Sequence, residues 1–165
     1  VVEYLPRAIE DGKDMEARAK MSYADSLGGY TNSNAGVTLP HGLGMQVGGH
    51  CPHVTHGQSL AVIYPEFTRY TWKSAKEKFA TVGRIFNPAL EKVSVEEAAE
   101  QCCEEIDKFL KKINLWIGFK DLNVTMQDIR EIADCGQVLG DYLNNPRVAT
   151  IDEMYEILTA CYERK

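Results

Sequence analysis

The sequence lacks concentrated positive charge, long apolar runs and paired cysteines. Its 165 residues carry 18 Lys and Arg against 24 Asp and Glu, a net charge of −6, with the basic residues scattered along the chain. Nucleic-acid and anionic-membrane binding need clustered positive charge, so we expect neither partner. No apolar run approaches the roughly 18–20 residues that span a bilayer, and the first residues lack the charged-then-apolar order of a signal peptide.

The cysteines do not form a disulfide or zinc pattern. They number five, show no C-x-x-C pair, and mostly fall at apolar helical positions: Cys51, Cys102, Cys103, Cys135 and Cys161. We therefore expect reduced residues in or near the core of a cytoplasmic protein. The chain begins with Val, and residues 2–5 look like the last turns of a helix, which predicts a fragment of a longer protein.

The composition is that of an ordinary globular domain, with 44% hydrophobic and 25% charged residues. A chain of this length can bury a sizeable core, so we predict one helical domain over residues 1–165. Hydroxyl residues followed three positions later by an acid predict helix starts, in the pairs Ser74–Glu77, Ser94–Glu97 and Thr150–Glu153, with a weaker pair at Thr125–Asp128.

Apolar residues behind these starts recur at three- and four-residue steps, which predicts buried helix faces. The faces consist of Phe79, Val82 and Phe86; of Ala99, Cys102, Ile106, Phe109 or Leu110, and Ile113; and of Met154, Ile157, Leu158 and Cys161. Residues 60–64 could form a short buried strand, but we favour a helix there too. The predicted fold class is all-α, a multihelical bundle.

All four histidines lie between positions 41 and 56: His41, His50, His53 and His56. Imidazole is the commonest side-chain ligand of divalent transition metals, so the cluster predicts a metal site. For any one histidine alone, a hydrogen-bonded surface or core role is as good an interpretation, and we keep it for His50 and His53. A zinc finger is disfavoured because the spacing around Cys51 matches no structural zinc pattern.

Glycines accompany the histidines at positions 42, 44, 48 and 49. Each costs up to about 1 kcal/mol relative to Ala if the segment is helical. Two causes could offset that cost: close packing of another helix, or approach of a ligand to the backbone. Both are typical of a buried catalytic helix.

Three stretches of the chain resemble a known family. Residues 35–44 (AGVTLPHGLG), Gly48-Gly49 and residues 55–57 (THG) resemble the second signature of group III, iron-containing alcohol dehydrogenases. The segments LPRAIEDG and ARAKM upstream, and NPRVAT near the end, are similar to the family's flanking stretches, particularly in its butanol-dehydrogenase-like branch. The resemblance covers nearly the whole chain.

The resemblance implies a helical C-terminal domain of the dehydroquinate-synthase-like type, joined in the whole enzyme to an N-terminal domain that binds NAD or NADP. It implies a metal, iron(II) or alternatively zinc, held by one Asp and three His in the cleft between the domains. The implied reaction interconverts primary alcohols and aldehydes by hydride transfer, and the implied assembly is a homodimer.

Carried over by position, the resemblance makes His41 and His56 metal ligands. The family often has a histidine four residues after the first ligand, suited to proton relay, and Met45 occupies that position here. A thioether cannot shuttle protons and is a poor ligand for hard iron. His50 could substitute if the helix ends at Gly48-Gly49. The spacing from His41 to His56 is one residue longer than the commonest form, so His53 is an alternative ligand.

Half of the implied site is missing from the sequence. No Asp is followed by His at the fourth position, and no Gly-Gly-Gly-Ser phosphate-binding segment occurs. We therefore expect this chain alone to be inactive. The alternatives are a glycerol dehydrogenase or dehydroquinate-synthase-like zinc enzyme, and a non-catalytic helical assembly module.

Overall fold

The computed structural model describes residues 1–164, and every regular element in that range is helical. The α-helices, numbered in chain order, are α1 (Tyr4–Glu10), α2 (Met15–Ala35), α3 (Leu39–His50), α4 (His56–Thr71), α5 (Lys76–Phe86), α6 (Val95–Lys112), α7 (Met126–Asp134) and α8 (Ile151–Ala160). Short 3₁₀ helices lie at Trp72–Ser74, Pro88–Lys92, Lys120–Leu122 and Gly140–Asn144. The all-α prediction is confirmed, including the helix over residues 60–64.

Helix α1 begins where the sequence suggested a helix ending. Tyr4 and Leu5 form its first residues, and it continues to Glu10. The interpretation of residues 2–5 as last helical turns is therefore wrong. No helix among residues 1–164 combines the length and the apolarity needed to cross a bilayer.

The hydroxyl caps explain most of the helix starts. Thr125 and Thr150 each form a complete capping box, and Ser94 accepts a hydrogen bond from the backbone N–H of Glu97. The predicted cap at Ser74 is wrong, because α5 begins after Ala75 without a side-chain cap. Ser74 belongs to the 3₁₀ turn that continues α4, so its backbone lacks the extended conformation of an N-cap residue.

The predicted buried faces are confirmed on α8 and largely on α6. All four residues predicted on α8 are buried, and on α6 only Ile106 and Phe109 stay half-buried. The prediction for α5 is wrong at Val82, which is 36% exposed. Helix α5 instead contacts α6 through small residues: a Cβ on Gly83 would lie 2.7 Å from the carbonyl oxygen of Ala98. Close backbone approach at Gly83 therefore lies beside an aromatic contact, in which the ring centroids of Phe86 and of Phe109 on α6 are 5.3 Å apart.

The main core joins α3, α4, α7 and α8 and orients the histidine-rich helix. Leu39, Leu43 and Val47 form the buried stripe of α3, each at most 1% exposed. His41 is two positions from Leu39 and Leu43, which is about 200° around a helix of 3.6 residues per turn. Its side chain therefore lies on the side of α3 away from the core.

Four cysteines are buried as predicted, and Cys135 is half-buried. All five are free thiols in the described part of the chain. Helix α2, by contrast, buries only Ala17 over its 21 residues and packs mainly on α1. Gly36, with φ of 72°, makes the turn from α2 into α3, a conformation that favours glycine.

The last described residue, Arg164, is tied to the middle of α4. Its guanidinium donates to the carbonyl oxygen of Val62 and to Glu66 Oε1, both at 2.6 Å, and its side chain is only 5% exposed. Charge-assisted hydrogen bonds of this kind are the stronger ones in proteins. The end of the chain therefore braces the helix that begins at His56.

Candidate metal centre

His41 and His56 both stand in first turns of helices. His41 is the third residue of α3, whose second position is Pro40, a residue preorganised for a helix start. His56 is the first residue of α4, held there by a capping box between Thr55 and Gln58. The Gln58 N–H donates to Thr55 Oγ1 at 3.4 Å, and the Thr55 N–H donates to Gln58 Oε1 at 3.0 Å. The backbone position of His56 is thus fixed by local sequence.

The two imidazole rings meet edge to face at the α3–α4 junction. Their centroids are 5.0 Å apart, and the ring planes are inclined at 80°. His41 is partly exposed and His56 is exposed, so both rings are open to groups from outside residues 1–164. Imidazole nitrogens bind first-row metals at about 2.0–2.1 Å, and rings this close can share one ion.

Two glycines of α3 make room for this arrangement. A Cβ on Gly44 would lie 2.9 Å from Ser59 Oγ and 3.1 Å from Cε1 of His56, and a Cβ on Gly42 would lie 3.3 Å from the Cβ of Asp141. At both positions the close packing inferred from the sequence is present. Gly48 and Gly49 have no described atom within 4 Å of such a Cβ, so packing does not explain them.

Asp141 is the site residue that the sequence did not indicate. Its Oδ2 lies 3.1 Å from Nδ1 of His41, and the two side chains are 24% and 33% exposed. The residues are 100 positions apart, and no motif links them. Only the packing of the Gly140–Asn144 3₁₀ helix on α3 brings the carboxylate to the imidazole.

The other two histidines make separate hydrogen bonds to backbone carbonyls. The Nδ1–H of His50 donates to the Gln46 carbonyl at 3.0 Å, and the Nε2–H of His53 donates to the Leu122 carbonyl at 2.9 Å. Helix α3 continues through His50, so the condition under which His50 would turn toward the cleft is not met. Nine residues along a helix place it about 180° from His41.

Met45 and Cys51 differ in their access to the site. Met45 follows His41 by one helical turn on the same face and is 48% exposed. Cys51 is 1% exposed, and burial raises the pKa of its thiol. Cys51 is part of the main core, packed among apolar side chains.

A cavity of about 260 Å³ opens beside His41. Its other lining residues come from the α2–α3 turn and from α4: Gly36, Val37, Thr38, Leu60 and Tyr64. Aliphatic and aromatic carbon therefore lies next to the His41 imidazole, and pockets for small organic molecules combine apolar walls with a few polar groups in this way.

The donor set fits a metal but is incomplete. Within residues 1–164, no group of three or more His, Cys, Asp or Glu side chains is placed to hold an ion. Catalytic metal sites usually take three or more protein ligands, and His41 and His56 alone do not make up such a set.

One known protein family matches nearly the whole chain. The family model described as "Fe-containing alcohol dehydrogenase family, C-terminal" matches residues 1–162. The NAD-dependent methanol dehydrogenase of Bacillus methanolicus is 30% identical over 94% of this chain and 41% of its own length. The 1,3-propanediol dehydrogenase of Klebsiella pneumoniae is 27% identical over 98% of this chain and 42% of its own.

Solved structures of related proteins superpose closely on this chain. A crystal structure of a 1,3-propanediol oxidoreductase superposes with a TM-score of 0.92 at 27% identity, covering 98% of this chain and 42% of the other. An alcohol dehydrogenase from Oenococcus oeni gives 0.90 at 25% identity, with coverages of 98% and 42%. The chain spans about two fifths of the curated relatives it matches. It belongs to the Fe-containing alcohol dehydrogenase family and corresponds to the C-terminal helical domain of that family's members.

Proposed function

We propose that this chain supplies two of the metal ligands, His41 and His56, in an NAD(P)-linked enzyme that interconverts primary alcohols and aldehydes. The observation that carries the proposal is the convergence of the two rings, 5.0 Å apart, from the first turns of α3 and α4. The family is described as Fe-containing, and we propose iron(II) as the metal, with zinc as the alternative. The remaining ligands, an Asp and a His, and the dinucleotide site belong to an N-terminal domain, and the whole enzyme is a homodimer.

In this proposal the metal supplies Lewis acidity toward the alcohol or aldehyde oxygen, and the nicotinamide exchanges the hydride. The residues of this chain hold and orient the two histidine side chains. The capping box at Thr55 fixes His56, the missing Cβ at Gly44 leaves space for its ring, and the core stripe of α3 turns His41 outward. Position 45 offers no imidazole for proton transfer, so water or another group carries the proton there.

The cavity beside His41 suits the hydrocarbon part of an alcohol. Leu60 and Val37 give it apolar walls, and the other side of the cleft belongs to the N-terminal domain in this proposal. The hydrocarbon part of a short primary alcohol fits there. Leu60→Ala should therefore improve kcat/KM for longer alcohols relative to ethanol, as measured with a series of increasing chain length.

The experiment that tests the function uses the whole encoded protein. After anaerobic loading with iron(II), metal content and alcohol-dependent reduction of NAD and NADP are measured for wild type, His41→Ala and His56→Ala. Both variants should lose metal and activity by at least tenfold. The matched control is His53→Ala, which removes an imidazole from the same segment and should keep both. Full metal content in both site variants would show that these histidines are not ligands.

A further inference from the structure

We infer that Asp141 is a positioning residue for His41: its carboxylate holds the imidazole in the orientation and tautomer that leave Nε2 free for a metal. The inference rests on the proposed function, in which His41 is a ligand. It adds a residue from the far end of the chain, on an element that carries none of the histidines.

The contact between the two residues has hydrogen-bond geometry. Asp141 Oδ2 and His41 Nδ1 are 3.1 Å apart, and both side chains are more than half covered. Among the described residues, no Lys or Arg makes an ion pair with Asp141. The carboxylate of Asp141 therefore pairs with His41 and is not drawn away by a competing cation.

The 3₁₀ helix that carries Asp141 is anchored at two points near the start of α3. Asp141 lies in the Gly140–Asn144 3₁₀ helix, which packs directly on α3 because Gly42 has no side chain. At the end of the same 3₁₀ helix, Asn144 Nδ2 donates to the carbonyl oxygen of Val37 at 3.0 Å. Two contacts thus fix the carboxylate relative to the start of α3.

The chemistry of the pair decides which ring nitrogen is free. A neutral imidazole carries one N–H and one lone pair, and an ionised carboxylate can only accept. A hydrogen bond from Nδ1 to Asp141 therefore puts the proton on Nδ1 and the lone pair on Nε2. Metal-binding histidines commonly donate their second ring N–H to a carboxylate in this way, and loss of such a partner typically costs 10–100-fold in metal affinity.

His56 lacks an equivalent partner. Within residues 1–164 the His56 ring makes no hydrogen bond. Its position is set by the capping box and by contact with Gly44. The two proposed ligands are therefore held by different means. Removal of Asp141 should affect the site through His41 alone.

The test measures Zn²⁺ affinity of the whole encoded protein by competition with a chromophoric chelator, together with the visible spectrum of the Co²⁺-loaded form. Asp141→Ala should weaken Zn²⁺ binding by about 10–100-fold and change the Co²⁺ spectrum. Asp141→Asn should lie between Ala and wild type, because an amide oxygen can still accept from Nδ1–H but without charge. Asp152→Asn, at a side chain 90% exposed on α8, removes the same charge and should stay within about twofold of wild type.

The outcomes separate this inference from the proposed function. Wild-type affinity in Asp141→Ala, with loss in His41→Ala, would overturn the positioning role and leave the metal site intact. Wild-type affinity in His41→Ala would overturn the proposed site itself. Thermal unfolding of the metal-free proteins identifies any folding defect, and if Asp141→Ala does not fold, the Asn variant decides: unchanged affinity in that variant contradicts the inference.

Discussion

The ring of His56 packs against the bare α-carbon of Gly44. A Cβ at that carbon would lie 3.1 Å from Cε1 and 3.3 Å from Nδ1 of His56, closer than ordinary van der Waals contact allows. The glycine on one helix therefore sets where the histidine of the next helix can stand. Helix α3 thus contributes a histidine of its own and the space in which the histidine of α4 stands.

Gly44→Ala should displace the His56 ring and weaken metal binding. The added methyl group must push aside Ser59 Oγ or His56, since both lie within 3.1 Å of it. We expect at least a tenfold loss of Zn²⁺ affinity, measured by chelator competition. Gly48→Ala is the matched control on the same helix, because nothing described lies within 4 Å of its new Cβ. It should keep metal affinity and stabilise the fold by up to about 1 kcal/mol.

Thr55→Ala should lower both stability and metal affinity. It removes the cap of α4, which typically costs about 1 kcal/mol of unfolding free energy, and frees the first residue of that helix, His56. Thr125→Ala removes an equivalent capping box from α7. We expect a similar loss of stability by urea denaturation in the two variants, but weaker metal binding only in the first. Equal metal affinities would contradict the link between the cap and the ligand.

Met45→His should add a proton-transfer group one turn from His41. Position 45 is 48% exposed and on the same helical face, so an imidazole there is accessible to substrate and solvent. We expect a higher kcat for alcohol oxidation and a new inflection in its pH profile near the ordinary imidazole pKa of about 6.5. Met45→Leu, which lacks a titrating group, should leave the wild-type profile. A profile unchanged by histidine would show that no proton passes through this position.

Glu153 should make stability depend on acid pH. Hydrogen bonds from the Thr150 backbone and from Arg147 lower the pKa of this carboxyl from 4.5 to about 2. Because the folded pKa is depressed, the stabilisation is complete above pH 4.5 and is lost as the pH falls toward 2. In urea titrations, Glu153→Gln should be less stable than wild type at neutral pH and should lose less stability across that range. Glu156→Gln, at an exposed position on the same helix, is the matched control for the loss of one carboxylate.

Local patterns in the sequence predicted local structure well. The caps at Ser94, Thr125 and Thr150 and the buried face of α8 follow from residues within one or two helical turns of each other. The Thr55–Gln58 box carried the same kind of signal and was overlooked, although it starts the helix of His56. The predicted cap at Ser74 was wrong because Ser74 belongs to the 3₁₀ helix that follows α4, whereas an N-cap residue has an extended backbone.

Contacts between distant segments could not be predicted in this way. The histidine pair was found because His41 and His56 are close in sequence and share a resemblance to a known motif. Asp141 could not be predicted, because its place beside His41 depends on how a 3₁₀ helix packs against α3. The two residues are 100 positions apart in the sequence. The packing of α5 on α6 through Gly83 was missed for the same reason, since hydrophobic periodicity cannot show how closely two backbones approach.

The separation of His41 and Asp141 along the chain also bears on the order of events during synthesis. At about 5–20 residues per second, a ribosome needs on the order of 5–20 s to make the 100 residues between them. During that interval Asp141 has not been made and cannot orient the His41 ring. In the proposed site, orientation of the imidazole by this carboxylate therefore belongs to the late steps of folding, after the last fifth of the chain has been synthesised.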